Sequence, residues 1–232
     1  MAIKHQRIIE DESTRKIGFL SRLVNFLEDV YEDAECADLY YTITSIEEES
    51  VIVEGVDCNY PLSESIDVFM DKYDLYAEEG IGRKHYTELY DEVVRVYKST
   101  LHYTMKNYAA RSLQKHVEYY LGILFSGKAF LVEGEGDKVI IPGGLNQCFA
   151  AHTHPSNLPI PSQADVRSIT NLFLDRGIGH VIETVGPSLA IYRRAPLSIE
   201  DLEVLKTLDR YRSIDELFRA LGSLKSITLT YF

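Results

Sequence analysis

The chain has 232 residues, 45% of them hydrophobic, and its 24 basic against 36 acidic side chains give a net charge of 24 − 36 = −12. This length suits one large domain, or a catalytic domain with a sizeable extension, and the acidic balance argues against nucleic-acid binding, which needs clustered Lys and Arg. Because the chain has neither an apolar run of about 18 residues nor the apolar core of a signal peptide near its N-terminus, we expect no membrane partner and, by default, a cytoplasmic location.

The first part of the chain is predicted to be an α/β region, which we place at residues 1–95. Residues 1–12 are polar and mixed in charge, and we interpret them as a loose lead-in. Apolar residues at spacings of three and four predict an amphipathic helix over residues 14–33. Two runs of β-branched and aromatic residues, 39–44 and 51–56, predict two strands, either as a hairpin or as neighbours in a sheet.

The clearest break in the first half of the chain is the Gly-Ile-Gly sequence at residues 80–82, which is a candidate domain boundary. Before it, residues 61–70 predict a short helix with Ser63 as its cap. After it, apolar and aromatic residues at helical spacing predict helices over residues 86–97 and 103–115. Nothing in this region indicates a chemistry.

The most informative segment is residues 151–165, which begins Ala-His-Thr-His-Pro. His152 and His154 lie two positions apart on a predicted strand, so both side chains project to the same face. Asp165 follows His154 by 11 positions and can supply a third ligand once the loop folds back. Two imidazoles and one carboxylate leave a position of a zinc ion open to water, which is typical of catalytic sites. The sequence therefore predicts one zinc ion per chain.

The same loop has a simpler interpretation as the start of a helix. Ser162-Gln163-Ala164-Asp165 matches the N-cap pattern of serine followed three residues later by an acid, and an acid in the first turn is stabilised by the helix dipole. We predict a helix from this cap towards Gly177. The cap alone leaves the two histidines unexplained, and one residue can be both cap partner and metal ligand.

The spacing His-x-His-x(7)-Ser-x-x-Asp, met here by His152, His154, Ser162 and Asp165, resembles the signature of the JAMM (MPN+, or JAB-domain) zinc metallopeptidases, in particular prokaryotic and archaeal members. The resemblance covers roughly residues 103–195. It implies an α/β (α+β) fold, with a mixed β-sheet flanked by helices in a layer like that of cytidine deaminases, preceded by the α/β extension. We accordingly place a JAB/MPN catalytic domain at residues 96–196.

In the same family, a helix is followed by a strand that starts with a glutamate and runs to a glycine. Residues 117–127 are similar to that element, with Glu118 in the position of the glutamate. The resemblance implies that Glu118 is the general base and acid, and that Ser162 stabilises the oxyanion by hydrogen bonding and is not a nucleophile. Glu133 and Glu135 are competing acids, although their neighbouring glycines are typical of a solvated hairpin turn.

The remaining segments complete the fold, with residues 197–232 forming C-terminal helices and a terminal strand. Two strands, two serine-capped helices and a last strand are predicted, in this order: 179–183, 189–193, 198–211, 213–222 and 226–232. The last strand is expected to join a sheet or the edge of a partner's sheet. His180, at the start of one strand, is interpreted as structural.

The three cysteines, Cys36, Cys58 and Cys148, are odd in number and widely spaced, which fits neither a disulfide framework nor a zinc knuckle. Cys148 lies four residues before His152, so a thiol nucleophile paired with a histidine is an alternative. A free cysteine on an apolar strand is more often a small hydrophobic residue, and we prefer that interpretation.

Three functions follow from this pattern. The resemblance implies a zinc isopeptidase that hydrolyses the amide or isopeptide bond after the C-terminus of a ubiquitin-like protein, so that such a protein or its conjugates would be the partner. The first alternative is a metallopeptidase acting on another amide, such as a small-molecule or pro-peptide substrate. RadC-type proteins carry a similar loop, which leaves the substrate class open. The second is a non-catalytic MPN-type scaffold. Family members often act as homodimers or as subunits of complexes, and the resemblance is compatible with either state here.

Overall fold

The computed structural model describes residues 6–134 and 145–232, which form eleven strands, seven α-helices and one 3-10 helix. The strands are β1 (Gln6–Ile9), β2 (Asp38–Ser45), β3 (Ser50–Val56), β4 (Tyr76–Glu79), β5 (Lys84–His85), β6 (Tyr119–Leu124), β7 (Ala129–Glu133), β8 (Gln147–Thr153), β9 (Gly179–Glu183), β10 (Ser188–Arg193) and β11 (Ile227–Tyr231). The helices are α1 (Glu12–Asp33), α2 (Leu62–Tyr73), α3 (Glu88–Ser99), α4 (Leu101–Lys115), α5 (Gln163–Leu174), α6 (Ile199–Thr207) and α7 (Ile214–Ser223), and the 3-10 helix is Leu208–Arg210. None of the described helices is both long and apolar enough to cross a membrane.

Seven strands form one mixed sheet in the order β1-β7-β6-β8-β9-β10-β11. Its neighbouring strands run antiparallel except for β8 and β9, which are parallel. A parallel pair requires a crossover connection, usually through a helix, and α5 lies in that connection. The residues that join β8 to α5 therefore form a loop at the end of a central strand. His152 is the next-to-last residue of that strand, and His154 is the first residue after it.

Helices cover both faces of this sheet, which confirms the predicted mixed sheet flanked by helices. Leu121, Phe149 and Val181 belong to the apolar cluster that α1, α3 and α4 build on one face. On the other face, Tyr120 and Ala150 pack with Leu172 of α5 in a second cluster. A third cluster joins α5 to β10, α6, α7 and β11. The alternation of side chains along each strand thus separates two helical layers.

A second sheet has four strands in the order β4-β3-β2-β5. Strands β2 and β3 form an antiparallel hairpin, which is one of the two predicted arrangements, whereas β4 joins β3 in parallel. Inward side chains such as Leu39 and Val53 share one apolar cluster with Leu20 of α1 and with Phe149 of the large sheet. The core is therefore continuous across the boundary predicted after residue 95, and that division of the chain stays a prediction.

Two local predictions are wrong. Residues 6–9 are not a loose lead-in, because β1 pairs with β7 from Gln6↔Val132 to Ile9↔Ala129. Ser63 does not cap α2, since Pro61 occupies the N-cap position and no side-chain hydrogen bond caps that helix. In the first segment, pairing with a strand far along the chain overrides the local polar composition. In the second, Pro61 starts the helix because its fixed φ suits that position.

The prediction that the cysteines form no disulfide is also wrong, because Cys36 and Cys58 are bonded to each other. They flank the hairpin of β2 and β3, whose last register pair is Asp38↔Val56. Each cysteine lies two residues beyond that pair, so the hairpin itself brings the two thiols together. The third cysteine, Cys148, is free and buried.

A buried ion cluster ties α1 to β10 and to the turn after α5. Arg193 is only 2% exposed and pairs with Glu28 of α1, while Arg176 contacts the other carboxylate oxygen of Glu28 at 3.0 Å. The hydroxyl of Tyr90 donates to Glu28 as well. Burial by itself would raise the pKa of Glu28, but Arg193, Tyr90 and Arg176 together hold it below its ordinary value. Glu28 therefore stays ionised and fixes the helix on the sheet.

Candidate metal centre

The two histidines of the loop lie at the end of the central strand. His152 belongs to β8 and pairs in register with Tyr120 of β6 and Ile182 of β9. His154 comes just after the strand, and its backbone N–H donates to the carbonyl oxygen of Glu183 at 2.9 Å. The strand and this hydrogen bond hold the two imidazoles on the same face of the sheet, as the i, i+2 spacing predicted.

The crossover brings Asp165 to these histidines. The Nε2 atoms of His152 and His154 are 2.9 Å apart, and each is 3.2 Å from a carboxylate oxygen of Asp165. For comparison, two ligand atoms of a tetrahedral zinc ion, each about 2.0–2.1 Å from the metal, lie about 3.3 Å apart. Two ring nitrogens and one carboxylate oxygen, all within 4.8 Å of one another, could hold a metal ion.

Burial and charge prepare these groups for a cation. His152 is 3% exposed, whereas the side chains of His154 and Asp165 keep 11% and 15% of their surface exposed. Burial would raise the pKa of Asp165, but His152 and hydrogen bonds from both histidines and Ser162 hold it far below its ordinary value. Burial would likewise lower the pKa of His152, yet Asp165 and Glu118 raise it. The site thus carries an ionised carboxylate, whose negative charge favours a cation beside it.

The helix cap and the candidate ligand coexist, as predicted. Ser162 is the N-cap of α5, with its Oγ accepting from the backbone N–H of Asp165 at 3.2 Å. In return, the backbone N–H of Ser162 donates to Oδ2 of Asp165 at 2.7 Å. The hydroxyl of Tyr211 donates to the carbonyl oxygen of Pro161 at 3.1 Å, so the C-terminal segment braces the loop. This capping box fixes the rotamer of Asp165 towards the histidines.

Glu118 lies directly before β6, and β6 is the neighbour of the histidine strand β8. Tyr120 pairs with His152, so the antiparallel register continued by two residues places Glu118 opposite His154. Glu118 also shares the face of Tyr120, because side chains two apart project to the same side. The start of β6 is fixed by Thr153, whose Oγ1 accepts from the backbone N–H of Tyr119 at 2.9 Å. The charge of Glu118 raises the pKa of His152, which agrees with this position of the glutamate.

The competing acid Glu133 lies on the other face of the sheet. It pairs in register with Tyr119, one residue out of phase with Glu118, and its carboxylate is 3.8 Å from Nζ of Lys115. It is the last residue of β7 and not part of a solvated turn. The third candidate, Glu135, lies outside the described residues. Of the two described acids, Glu118 is the one on the side of the histidines.

Sequence reasoning missed the relation between His180 and His152. His180 is 1% exposed on β9, and its Nε2 lies 2.6 Å from Nδ1 of His152. Burial, and then the charge of His152, hold the pKa of His180 well below its ordinary value, so the ring is neutral. The only sequence signal was a histidine at the start of an otherwise apolar strand, and the contact exists because β8 and β9 are parallel neighbours.

The sequence also did not single out Glu183, whose buried carboxylate holds β9 against the neighbouring helices. The carboxylate of Glu183 is fully buried and accepts hydrogen bonds from the hydroxyl of Tyr97 and from Nδ1 of His102, both at 2.8 Å. Lys106 is 3.5 Å away. These contacts anchor β9 to α3 and α4, and the backbone of the same glutamate holds His154 in place.

The thiol alternative finds no support in the geometry. Cys148 is completely buried, and burial raises the pKa of its thiol to about 12. It packs with the cluster that contains α1, on the face of the sheet away from the two histidines. A neutral, enclosed thiol is a small hydrophobic residue and not a nucleophile.

Comparisons of this chain with protein-family models, with curated proteins and with solved structures gave no match.

Proposed function

We propose that this chain is a zinc-dependent peptidase of the JAMM type, which hydrolyses the amide or isopeptide bond after the C-terminus of a ubiquitin-like protein. The observation that supports this most directly is the convergence of His152, His154 and Asp165 from two elements. The Nε2 atoms of the two histidines are 2.9 Å apart, and each lies 3.2 Å from one of the two carboxylate oxygens of Asp165. The crossover of α5 after the histidine strand supports a JAB/MPN-type domain at residues 96–196.

The donor set fits one zinc ion per chain. Zinc accepts imidazole nitrogen and carboxylate oxygen, and three protein ligands with one open position are typical of its catalytic sites. Asp165 is ionised and His152 has Nε2 directed at the cluster, which are the states that a metal requires of its ligands. A zinc ion bound there would acidify a water molecule and polarise the carbonyl of the scissile bond.

The residues of the chain that would act on the substrate are Glu118 and Ser162. A carboxylate opposite His154 can accept the proton of the attacking water and then deliver it to the leaving amine, so that Glu118 acts as base and afterwards as acid. Ser162 uses its oxygen to accept from Asp165, which leaves its hydroxyl hydrogen as a donor for the developing oxyanion. Because water is the nucleophile in this mechanism, no covalent intermediate forms on the enzyme.

An extended protein tail is the proposed substrate. The support for it is the resemblance of the loop to the JAMM signature, together with the shape of that loop. Residues 155–161 belong to neither sheet, and Leu158 among them is 62% exposed. Such a loop offers an apolar contact to a chain that lies along it. The net charge of −12 argues against nucleic acid as a substrate.

The test uses the full chain loaded with zinc and a ubiquitin-like protein whose C-terminus is joined to a fluorogenic amine. We expect release of the amine, loss of activity with a chelator, recovery with zinc and no activity in Asp165→Ala. A panel of short peptidyl amides separates the protein tail from other amides. A zinc-loaded chain that cleaves none of these substrates would contradict the enzymatic function and favour a scaffold.

A further inference from the structure

We propose that His180 is a positioning residue for the metal centre, which accepts a hydrogen bond from Nδ1–H of His152 and thereby directs Nε2 of His152 to the ion. This inference rests on the proposed function, since it concerns the same site. It assigns a role to a residue that is neither a ligand nor part of the signature.

The first argument is geometric. The ring of His152 has one nitrogen at the cluster, where Nε2 lies 2.9 Å from Nε2 of His154 and 3.2 Å from Oδ1 of Asp165. Its other nitrogen, Nδ1, lies 2.6 Å from Nε2 of His180. A neutral imidazole carries a single hydrogen. When Nε2 binds a metal, that hydrogen must therefore be on Nδ1, and Nε2 of His180 is the atom placed to accept it.

The second argument comes from the rest of the His180 ring. His180 is 1% exposed, and within the part of the chain that the structure describes its Nδ1 has no hydrogen-bond partner. A buried polar atom without a partner is costly, so an apolar residue would fill this space more favourably. A role for His180 in accepting the hydrogen bond from His152 through its other nitrogen, Nε2, explains why a histidine occupies this position. Ligating histidines are in general oriented by an acceptor at their second nitrogen.

The third argument is the rigidity of the pair. Both histidines lie on neighbouring parallel strands, and their ring centroids are 4.9 Å apart at an angle of 64°. The ring of Tyr120 on β6 also lies near that of His180, with ring centroids 6.2 Å apart. Because His180 is buried against these rings, its side chain is held in one orientation. The rotamer of His152 is set before any metal arrives, which reduces the entropy lost on binding.

Two variants of similar size separate the hydrogen bond from the filling of space. His180→Leu removes the acceptor, whereas His180→Gln can place a carbonyl oxygen near the position of Nε2. Zinc affinity is measured by competition with a chromogenic chelator, and the ligand field by the absorption spectrum of the cobalt-substituted chain. We expect His180→Leu to lose about 10–100-fold in zinc affinity and to change the cobalt spectrum, and His180→Gln to recover most of both.

The outcomes separate this inference from the proposed function. If the wild-type chain binds no zinc, the metal centre itself is contradicted. If it binds zinc and a folded His180→Leu binds it within about threefold of wild type, the positioning role is overturned although the centre stands. Should the leucine variant fail to fold, ¹⁵N spectra of the histidine rings in the zinc-loaded wild type decide. A protonated Nδ1 on His152 supports the inference, and a protonated Nε2 or a metal on Nδ1 overturns it.

Discussion

Glu118 and Glu133 form a matched pair for testing the catalytic mechanism. They lie at the same end of the neighbouring strands β6 and β7, because Tyr119, which follows Glu118, pairs with Glu133. They project to opposite faces of the sheet, and both are partly buried. Changing each of them to glutamine removes one negative charge and keeps the size of the side chain, so only the face differs between Glu118→Gln and Glu133→Gln.

The expected effects differ by orders of magnitude. An amide cannot take up the proton of the attacking water, so Glu118→Gln loses the contribution of general base and acid, about 10²–10⁴-fold in kcat. At about 1.36 kcal/mol per factor of ten, this corresponds to roughly 2.7–5.4 kcal/mol of activation free energy. Glu133→Gln loses a pair with Lys115, whose side chain is 57% exposed. Exposed pairs contribute about 0–1 kcal/mol to stability, and kcat should not change.

The assay is single-turnover cleavage of the fluorogenic ubiquitin-like substrate, with zinc content measured on the same samples. Both variants should keep their zinc, because all three proposed ligands are intact. If Glu118→Gln stays as active as wild type while Glu133→Gln is inactive, the assignment of the general base is wrong. If Glu118→Gln loses its zinc, the glutamate acts as a ligand and the proposed division of roles fails.

Three further predictions concern the cap, the free thiol and the buried ion cluster. Ser162→Ala and Ser198→Ala each remove a serine that caps a helix, so each should lower the free energy of unfolding by about 0.5–2 kcal/mol. Only Ser162→Ala should also lower kcat, by about 10²–10³-fold if its hydroxyl stabilises the oxyanion, and equal kcat values in the two variants would contradict that role. Because burial raises the pKa of the Cys148 thiol to about 12, iodoacetamide at about pH 8 should leave it unmodified in the folded chain and alkylate it after unfolding, as mass spectrometry will show. Glu28→Ala leaves Arg193 buried without its carboxylate and should destabilise the chain by about 3–5 kcal/mol in urea unfolding. A loss below about 1 kcal/mol would mean that the cluster is not desolvated.

The cluster of His152, His154 and Asp165 could be predicted from the sequence because its geometry is mostly local. Two histidines on one strand share a face whatever the rest of the fold does. Ser162 and Asp165 form a capping box within four residues, and the structure shows it with both hydrogen bonds. Only the return of Asp165 to the histidines needed the tertiary fold, and a crossover helix after a central strand provides it.

Contacts between distant segments could not be predicted in this way. The pairing of β1 with β7 joins residues 6–9 to residues 129–132, and no local pattern in the first segment indicates it. His180 reaches His152 only because β9 lies beside β8, which a single sequence does not reveal. The Cys36–Cys58 bond is different, because the register of the predicted hairpin brings residues 36 and 58 together. The odd number of cysteines argued against a disulfide, although two of the three can pair and leave Cys148 free.

The central claim is that His152, His154 and Asp165 hold one zinc ion, and the most direct measurement is the zinc content of the purified full chain with its coordination by X-ray absorption. We predict one zinc ion per chain, with nitrogen and oxygen ligands at about 2.0–2.2 Å. Asp165→Ala should abolish binding, while Ser162→Ala, which disrupts the same capping box but keeps the three ligands, should retain it. A wild-type chain that stays free of metal in the presence of zinc, or an Asp165→Ala variant that binds zinc as well as wild type, would contradict the claim.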